Sequence, residues 1–223
     1  MISDMHIHIR DGYQDLNILR LYANKAIERG IAKVVFLEHG NRLSNKHSSI
    51  LSTRHNIDVY KNTLNKYHDS RLTVLSGIEI DYSDDLNFRK KTLELLDYGS
   101  FDWIIGSIHS IKFDNKCDYY YAIIDLINNY KINCLGHIKL DDDYMDYQDI
   151  LDKIVKKAHD KNICIEINTS DRSRWSEEQL VYMLELMQKY NTKFIIGSDA
   201  HNYNEVGYLV EKTDKKIREI KAK

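Results

Sequence analysis

Short apolar runs rich in β-branched residues recur along the chain, and longer amphipathic segments separate them. The runs cover residues 5–9, 33–38, 72–80, 103–109, 133–138, 163–168 and 193–199. Runs of this length and composition are typical of strands that are buried in a sheet. The pattern therefore predicts seven strands.

Four of the intervening segments show the apolar spacing of a helix that buries one face. These segments are residues 18–30, 121–130, 150–162 and 178–191. Ser176, followed by Glu177 and Glu178, is typical of a helix start, and Gly30 is typical of a helix end. The mixed-charge tail, residues 211–223, is predicted to be a further helix with a solvated face.

Strand and helix alternate seven times without a break in composition. This order predicts the α/β class, with a parallel sheet that is covered by helices and closed or nearly closed into a barrel. We expect residues 1–223 to form a single domain. The longest polar irregular stretch, residues 40–57, is predicted to be a loop, and a loop of this length in a compact domain is often functional.

Composition and charge limit the classes of binding partner that the protein can have. Of the 223 residues, 43% are hydrophobic and 30% are charged, which is ordinary for a soluble globular protein. The net charge of −2 gives no global field that would attract nucleic acid or a membrane surface. Three cysteines without a CxxC spacing predict reduced thiols in a cytoplasmic protein. No stretch has the pattern of a signal peptide or approaches the roughly 20 apolar residues of a membrane span.

Histidines and acidic residues lie at the C-terminal end of every predicted strand. In strand order they are His6 and His8, Glu38 and His39, Glu79 and Asp81, His109, His137, Glu166, and Asp199 with His201. These ends converge on one rim of a barrel, where active sites lie. Imidazole and carboxylate together suit zinc, manganese or iron. There are more candidates than the four ligands of one zinc, so the sequence predicts two or three divalent metals, an arrangement suited to attack of water on phosphate.

The first strand shows how histidines and acidic residues are placed at a strand end. Residues two apart in a strand share a face, so His6 and His8 are predicted to reach the same metal. Asp4 precedes them on that face and is expected to orient a ligand, while Arg10 lies just beyond the strand and can hold a phosphate oxygen. The other candidate phosphate-binding arginines, in predicted rim loops, are Arg42, Arg54, Arg172 and Arg174.

Seven motifs together resemble the PHP (polymerase and histidinol phosphatase) family, and its histidinol phosphatase branch most closely. They are DMHIH (4–8), EHG (38–40), GIEIDY (77–82), GSIHS (106–110), GHIKL (136–140), EINTS (166–170) and GSDAH (197–201). DxHxH alone would be a weak signal. The seven motifs follow the family order over nearly the whole chain.

The resemblance implies a distorted seven-stranded (β/α)7 TIM-like barrel with a trinuclear metal centre. The ligands carried over by motif are His6, His8, His39, Glu79, His109, His137, Asp199 and His201. Glu79 would bridge two metals, and Glu79, Asp199 and His201 are the candidate catalytic residues. A metal-bound hydroxide would attack phosphorus, while metals and basic side chains, among them Arg10, Arg172 and Arg174, would bind the phosphoryl oxygens.

The chain departs from the family pattern at two positions. Members often place a further ligand six or seven residues after the second histidine of HxH, where this chain has Gln14 and Asp15. Asp15 is the candidate ligand, with Asp11 as the alternative. The fifth-strand motif often continues with Asp, whereas this chain has Lys139.

Three polar residues at the strand ends are expected to support the site rather than to ligate metal. Glu166 and Asn168 are predicted to have supporting or structural roles. Glu38 is adjacent to a ligand in the sequence, and strand alternation predicts that it faces the other side.

The function that these residues favour is metal-dependent hydrolysis of a small phosphorylated metabolite, most specifically L-histidinol phosphate of histidine biosynthesis. An amidohydrolase-type enzyme is an alternative, but such enzymes typically use a lysine on a middle strand, where this chain has His109. A PHP-type nuclease is a second alternative, disfavoured by the near-neutral charge. A non-catalytic barrel is a third, disfavoured because almost all ligand positions are filled.

Overall fold

Seven parallel strands alternate with seven helices in the computed structural model, which describes residues 1–41, 50–109 and 111–222. The strands are β1 Ile2–His8, β2 Ile31–Leu37, β3 Thr73–Asp81, β4 Trp103–Ser107, β5 Cys134–Leu135, β6 Cys164–Asn168 and β7 Phe194–Gly197. The helices are α1 Leu16–Glu28, α2 Arg54–Asn65, α3 Leu86–Gly99, α4 Lys116–Asn129, α5 Gln148–Asp160, α6 Glu177–Tyr190 and α7 Val210–Lys221. This architecture confirms the predicted α/β barrel.

Local signals account for several element boundaries. Ser176 caps α6 through a reciprocal hydrogen-bond pair with Gln179, as its sequence context predicts. Gly30 follows α1 with a φ of 69°, a left-handed conformation that glycine adopts readily. The predicted loop 40–57 is too long, because Thr53 caps α2 and the helix begins at Arg54. Residues 42–49 of that loop, including Arg42, lie outside the described residues.

The sheet runs in the order β1-β2-β3-β4-β5-β6-β7, so each strand pairs with its sequence neighbours. Backbone hydrogen bonds just beyond β7 bring it back to β1: His8 N–H donates to Ala200 O at 2.8 Å, and Asp199 N–H donates to His6 O at 2.9 Å. The buried Asp4 carboxylate accepts the N–H groups of Ser198 and Gly207, both at 2.8 Å. The barrel is therefore nearly closed.

Apolar side chains from four of the strands form a small buried cluster inside the barrel. Met5, Val35, Leu37, Ile105 and Cys134 form this buried cluster. The outer faces of the strands pack against the helices in a second, larger apolar core. Because this part of the interior is filled by hydrophobic side chains, the polar residues of the barrel collect at the C-terminal ends of the strands.

β1 departs from regular strand alternation. Its register with β2 is irregular between Asp4 and Ile7. As a result Met5 packs in the interior cluster, and the next residue, His6, also points into the barrel. An extra residue of this kind is a β-bulge, a common device beside active sites. The simple alternation that was expected to put Asp4 on the face of His6 and His8 is therefore wrong, and Asp4 binds backbone N–H groups instead.

None of the described helices has both the length and the hydrophobicity needed to cross a lipid bilayer. The three cysteines, Cys117, Cys134 and Cys164, are free thiols in the structure.

Candidate metal centre

Eight side chains from the strand ends meet at the C-terminal rim of the barrel. They are His6, His8, His39, Glu79, His109, His137, Asp199 and His201. All eight belong to three groups of three, with His8 shared between two of the groups. Within each group the ligand atoms all lie within 4.8 Å of one another. The sequence therefore predicted a set of side chains that the fold does bring together.

The first group, called group A, consists of His6, His8 and Asp199. The Nε2 atoms of His6 and His8 are 3.1 Å apart, and they lie 3.6 and 3.5 Å from Asp199 Oδ1. Glu79 Oε2 lies 3.7 and 3.3 Å from the same nitrogens. A tetrahedral zinc site with ligands at about 2.0–2.1 Å has ligand-to-ligand edges of about 3.3–3.4 Å. The four atoms therefore have the spacing of one metal site.

The second group, group B, consists of Glu79, His109 and His137. Glu79 Oε1 lies 2.9 Å from His137 Nε2 and 3.3 Å from His109 Nε2, and the two nitrogens are 3.2 Å apart. The other oxygen of Glu79 faces group A. One carboxylate thus presents an oxygen to each group, which is the arrangement that a bridging ligand requires.

The third group, group C, consists of His8, His39 and His201. The His8 ring centroid lies 4.2 Å from that of His39 and 4.4 Å from that of His201. His39 Nδ1 is also 2.8 Å from Glu79 Oε2, so this group adjoins group A. His201 Nδ1 is 2.8 Å from the Asp199 carbonyl oxygen, and with the proton on Nδ1 it leaves Nε2 available as a ligand.

Glu166 fixes members of two groups at once. Its Oε1 is 2.8 Å from His6 Nδ1, and its Oε2 accepts the His137 backbone N–H at 2.7 Å. The carboxylate is fully buried, and it lies so close to Gly197 that a Cβ there would be 2.3 Å from Glu166 Oε1. The supporting role predicted for Glu166 is thus a specific one: it turns the His6 ring so that Nε2 faces group A.

Two further acids support the histidines. Asp81 Oδ1 accepts the His109 backbone N–H at 2.8 Å and lies 3.4 Å from His109 Nδ1. Glu38 is fully buried, accepts the Arg10 backbone N–H and has Oε2 3.8 Å from His8 Nδ1. The prediction that Glu38 faces away from the site is wrong, because the carboxylate reaches across to the neighbouring strand. No local sequence signal marks this role.

The buried carboxylates create a strongly cation-attracting field. Burial opposes charge on His8, but Asp199, Glu38 and Glu79 outweigh it and raise the His8 pKa to about 10. Burial likewise opposes charge on Glu79, yet the surrounding imidazoles, His109 foremost, lower the Glu79 pKa well below its ordinary value. Burial and the charge on His8 lower the pKa of His201 to about 4. Positive charge is therefore favoured at the centre of the cluster.

The residues fit divalent metal ions. Among the buried side-chain atoms of the described residues, Glu38 Oε2 and His8 Nδ1 have no hydrogen-bond partner, although buried polar atoms normally have one. Imidazole nitrogens approach one another and carboxylate oxygens from several directions rather than pairing as donors and acceptors. Histidine nitrogen with carboxylate oxygen is the donor set of zinc, manganese and iron sites.

Asp15 and Asp11 do not join these groups. Asp15 is the N-cap of α1, and its Oδ1 accepts the Asn17 N–H at 2.8 Å. Asp11 is exposed in the short 3₁₀ turn Arg10–Tyr13. Neither carboxylate belongs to a described group of metal-ligating atoms. The structure thus places Asp15 in the helix-capping position that its residue type also favours.

The arginines differ in position. Arg10 is exposed, has a left-handed φ of 51°, and its charge contributes to the lowered pKa of His201, so it lies near the rim. Arg172 lines a cavity of about 280 Å³ together with Asp199. Arg174 pairs with Asp171 at 3.2 Å and lines a different cavity, between α6 and α7. Arg54 lies in α2 over the Tyr98 ring.

Three residues of this rim have a strained backbone. Arg10, His137 and Asp199 have φ values of 51°, 24° and 52°, a region that residues other than glycine rarely adopt. Such conformations cost about 1–3 kcal/mol each and persist where the surrounding structure holds them, often at functional sites. At His137 this conformation is stabilised by the hydrogen bond from its backbone N–H to the Glu166 carboxylate.

Comparison with known proteins agrees with the geometry. A probable phosphatase from Caldicellulosiruptor bescii is 26% identical over 212 residues, which cover 92% of this chain and 81% of that protein. A histidinol-phosphatase from Lactococcus lactis is 24% identical in an alignment of 230 positions that covers 89% of this chain and 83% of that protein.

A solved structure extends the comparison to three dimensions. The crystal structure of histidinol phosphate phosphatase from Lactococcus lactis, complexed with zinc, L-histidinol and phosphate, superimposes with a TM-score of 0.77. The alignment covers 98% of this chain and 93% of that one at 20% identity, so it establishes a shared fold. The sequence model of the PHP domain matches residues 4–170, from Asp4 through the end of the EINTS motif. The chain therefore belongs to the PHP domain family.

Proposed function

We propose that this protein is a metal-dependent phosphomonoesterase that hydrolyses a small phosphorylated metabolite. The observation that carries the proposal is the convergence of groups A, B and C around one buried carboxylate, Glu79. Family membership and relatives named as phosphatases support the same reaction class. We also propose that residues 1–223 act as one domain and that the protein works in the cytoplasm.

Groups A and B, which share Glu79, would hold two divalent ions, and group C would complete a third site. Zinc, manganese or iron would suit these ligands, and zinc is named with the Lactococcus lactis relative. Ions held here would supply Lewis-acid chemistry, lowering the pKa of a water molecule and neutralising charge on the phosphoryl group. This assistance matters because phosphate monoesters hydrolyse extremely slowly in water.

The chain's own residues have three tasks in this reaction. Glu166, Glu38 and Asp81 keep the histidine rings oriented, so that little reorganisation is needed when substrate arrives. The second task is catalysis itself, for which we propose Glu79, Asp199 and His201, one residue from each of the three groups.

The third task is binding the anionic phosphoryl oxygens. Arg172, which lines the same cavity as Asp199, and Arg10, whose charge acts on His201, are the proposed cationic side chains for it. We keep Arg174 as a weaker candidate, because its guanidinium already pairs with Asp171.

L-histidinol phosphate is the proposed substrate. The support is the name of the Lactococcus lactis relative and the L-histidinol and phosphate in its crystal structure. We propose no nucleic-acid or membrane partner, because the formal net charge of −2 provides no general attraction to either.

Phosphate release by the purified protein tests the proposal. The protein is stripped with a chelator, reloaded with zinc, manganese or iron, and assayed with L-histidinol phosphate, p-nitrophenyl phosphate and single-stranded DNA. We expect metal-dependent release of phosphate from the monoesters, lost in His6→Gln and kept in His55→Gln, which alters an exposed histidine of α2. Turnover of DNA alone, or of no phosphoester with any of the metals, would contradict the proposal.

A further inference from the structure

A second cavity opens beside the metal centre, at group B and separate from the cavity that Asp199 lines. It has a volume of about 410 Å³ and is bordered by His109 of group B. Its walls come from the loop after β4, around residues 111–115, and from the loop after β5, around residues 139–141. A cavity of this size can hold a small metabolite, and this one adjoins a proposed metal ligand.

The cavity has an aromatic wall that is fixed in place. The Phe113 ring packs edge-on against Tyr119, with centroids 5.9 Å apart, and Tyr119 lies 5.4 Å from Tyr120. The Tyr119 hydroxyl accepts the Lys139 backbone N–H at 2.9 Å and so ties α4 to the loop after β5. Phe113 is only partly buried, which leaves part of its ring accessible to a flat ligand.

The charged groups of the wall are arranged unevenly. Besides His109, the charged residues that line the cavity are two aspartates and two lysines: Asp114, Asp141, Lys116 and Lys139. The Lys116 ammonium is already paired, 3.2 Å from Asp141 and in contact with Asp143. Asp114 is exposed and has no ion pair among the described residues, so its carboxylate is available to a cation.

Lys139 is the other charged group of the wall without an ion pair among the described residues. It follows His137 of group B by two residues, so a proposed metal ligand and this cavity lysine come from the same strand end. The Lys139 ammonium can attract the anionic phosphoryl group. Phe113 and Asp114, on the loop after β4, are then available to contact the rest of the substrate.

From this geometry we infer that the cavity beside His109 binds the alcohol half of the phosphoester, and that Phe113 and Asp114 determine its specificity. The alcohol half is a planar ring that packs on Phe113 and carries a positively charged amine that pairs with Asp114. The inference rests on the proposed phosphomonoesterase function and adds the residues that select the substrate. The smaller cavity at Asp199, where Arg172 lies, is left to the phosphoryl oxygens.

Ratios of kcat/KM test this assignment without requiring an absolute rate. The ratio for L-histidinol phosphate over ethyl phosphate is measured in the metal-loaded wild type and in Phe113→Ala, Asp114→Asn and Asp114→Lys. We expect about a fivefold to tenfold lower ratio in Phe113→Ala, from the loss of ring packing. We expect about a twofold to fivefold lower ratio in Asp114→Asn, since the pair is exposed, and a larger drop in Asp114→Lys.

Matched controls separate recognition from general damage. Tyr121→Ala removes an exposed ring from α4, and Asp160→Asn removes an exposed charge at the end of α5, so both should keep the wild-type ratio. Lys139→Met should lower kcat/KM for both esters alike, because the phosphoryl group is common to them. Asp114 is exposed, so its variants are expected to fold, and the metal content of every variant is measured alongside.

The outcomes are distinct. An unchanged ratio in Phe113→Ala and in both Asp114 variants, with wild-type activity present, overturns the subsite and leaves the proposed function intact. A ratio that instead falls in Tyr208→Ala, which alters the Asp199 cavity, also overturns it. Equal or better turnover of ethyl phosphate by the wild type overturns the ring-plus-amine substrate class. Hydrolysis of neither ester overturns the proposed function and the subsite with it.

Discussion

Glu166 Oε1 lies 2.8 Å from His6 Nδ1, and both residues are fully buried. This contact fixes which nitrogen of His6 faces group A, while the second oxygen of Glu166 holds the backbone of His137 in group B. A carboxylate that is not itself in a metal-ligating group thus sets the geometry of two of them.

Replacing Glu166 with Gln should weaken metal binding by about 10- to 100-fold, because an amide holds the imidazole less firmly and adds N–H groups where two acceptors are needed. Competition with a chromophoric chelator measures the affinity. Glu219→Gln, at an exposed site on α7, is the matched control and should leave affinity unchanged. Equal affinities for wild type and Glu166→Gln would show that the contact does not orient a ligand.

Arg172 and Arg174 are two residues apart and offer a matched pair. Arg172 lines the cavity at Asp199, whereas Arg174 is paired with Asp171 and borders another cavity. Arg172→Ala should raise KM by about tenfold or more, since a charge-assisted hydrogen bond to phosphate is lost. Arg174→Ala should have a much smaller effect. Steady-state kinetics with one phosphomonoester decides, and the reverse order would refute the assignment.

Asp4 should give folding stability an unusual pH dependence. Burial raises its pKa to about 6, although N–H groups of Ser198 and Gly207 oppose the shift. Because this pKa lies above the ordinary value of 3.8, the contribution of Asp4 is favourable below pH 4 and is lost as pH rises through 6. In chelator-treated protein, Asp4→Asn should therefore gain up to about 3 kcal/mol relative to wild type between pH 4 and 7.

Urea unfolding at several pH values measures this difference. Asp11→Asn, at an exposed position of the same region, provides the control, and its stability relative to wild type should stay flat with pH. A flat profile for Asp4→Asn as well would mean that the buried carboxylate does not titrate as the structure indicates.

Metal binding should release protons. The carboxylates raise the pKa of His8 to about 10 and that of His109 to about 9, in both cases against burial, so we expect both rings to be positively charged at pH 7 in the metal-free protein. A cation must displace these protons, so metal affinity should rise with pH between 6 and 9. Calorimetric titration in two buffers of different ionisation enthalpy counts the protons. Identical apparent enthalpies in both buffers would contradict the prediction.

The sequence predicted the barrel and the convergence of ligands because both follow from local patterns. Interior residues alternate along each parallel strand, so a polar residue at a strand's C-terminal end on that face must reach the rim. Prediction fails where the alternation fails. The irregularity in β1 lets Met5 and His6 both face inward, but the polar and apolar residues of β1 still alternate in the sequence and give no sign of it.

Contacts between distant parts of the chain were also beyond local reasoning. Asp4 bonds to Ser198, Glu166 to His6, and Glu38 to the backbone of Arg10. Each partner is determined by how the barrel closes and how adjacent strands are staggered, which single-strand patterns do not encode. Asp15 presents a different case, because helix capping and metal ligation both favour an aspartate at such a position, and spacing alone could not separate them.

The central claim is that Glu79 joins groups A and B into one shared metal site, and metal stoichiometry tests it most directly. Wild-type protein and Glu79→Gln are stripped, titrated with manganese or zinc, and analysed for bound metal and phosphate release. Wild type should bind two or three equivalents, with activity rising as they fill. Glu79→Gln should lose at least one equivalent of bound metal. Its activity should fall by more than the about 10- to 100-fold that is typical when a residue supporting a metal ligand is replaced. Wild-type stoichiometry and activity in Glu79→Gln would contradict the account.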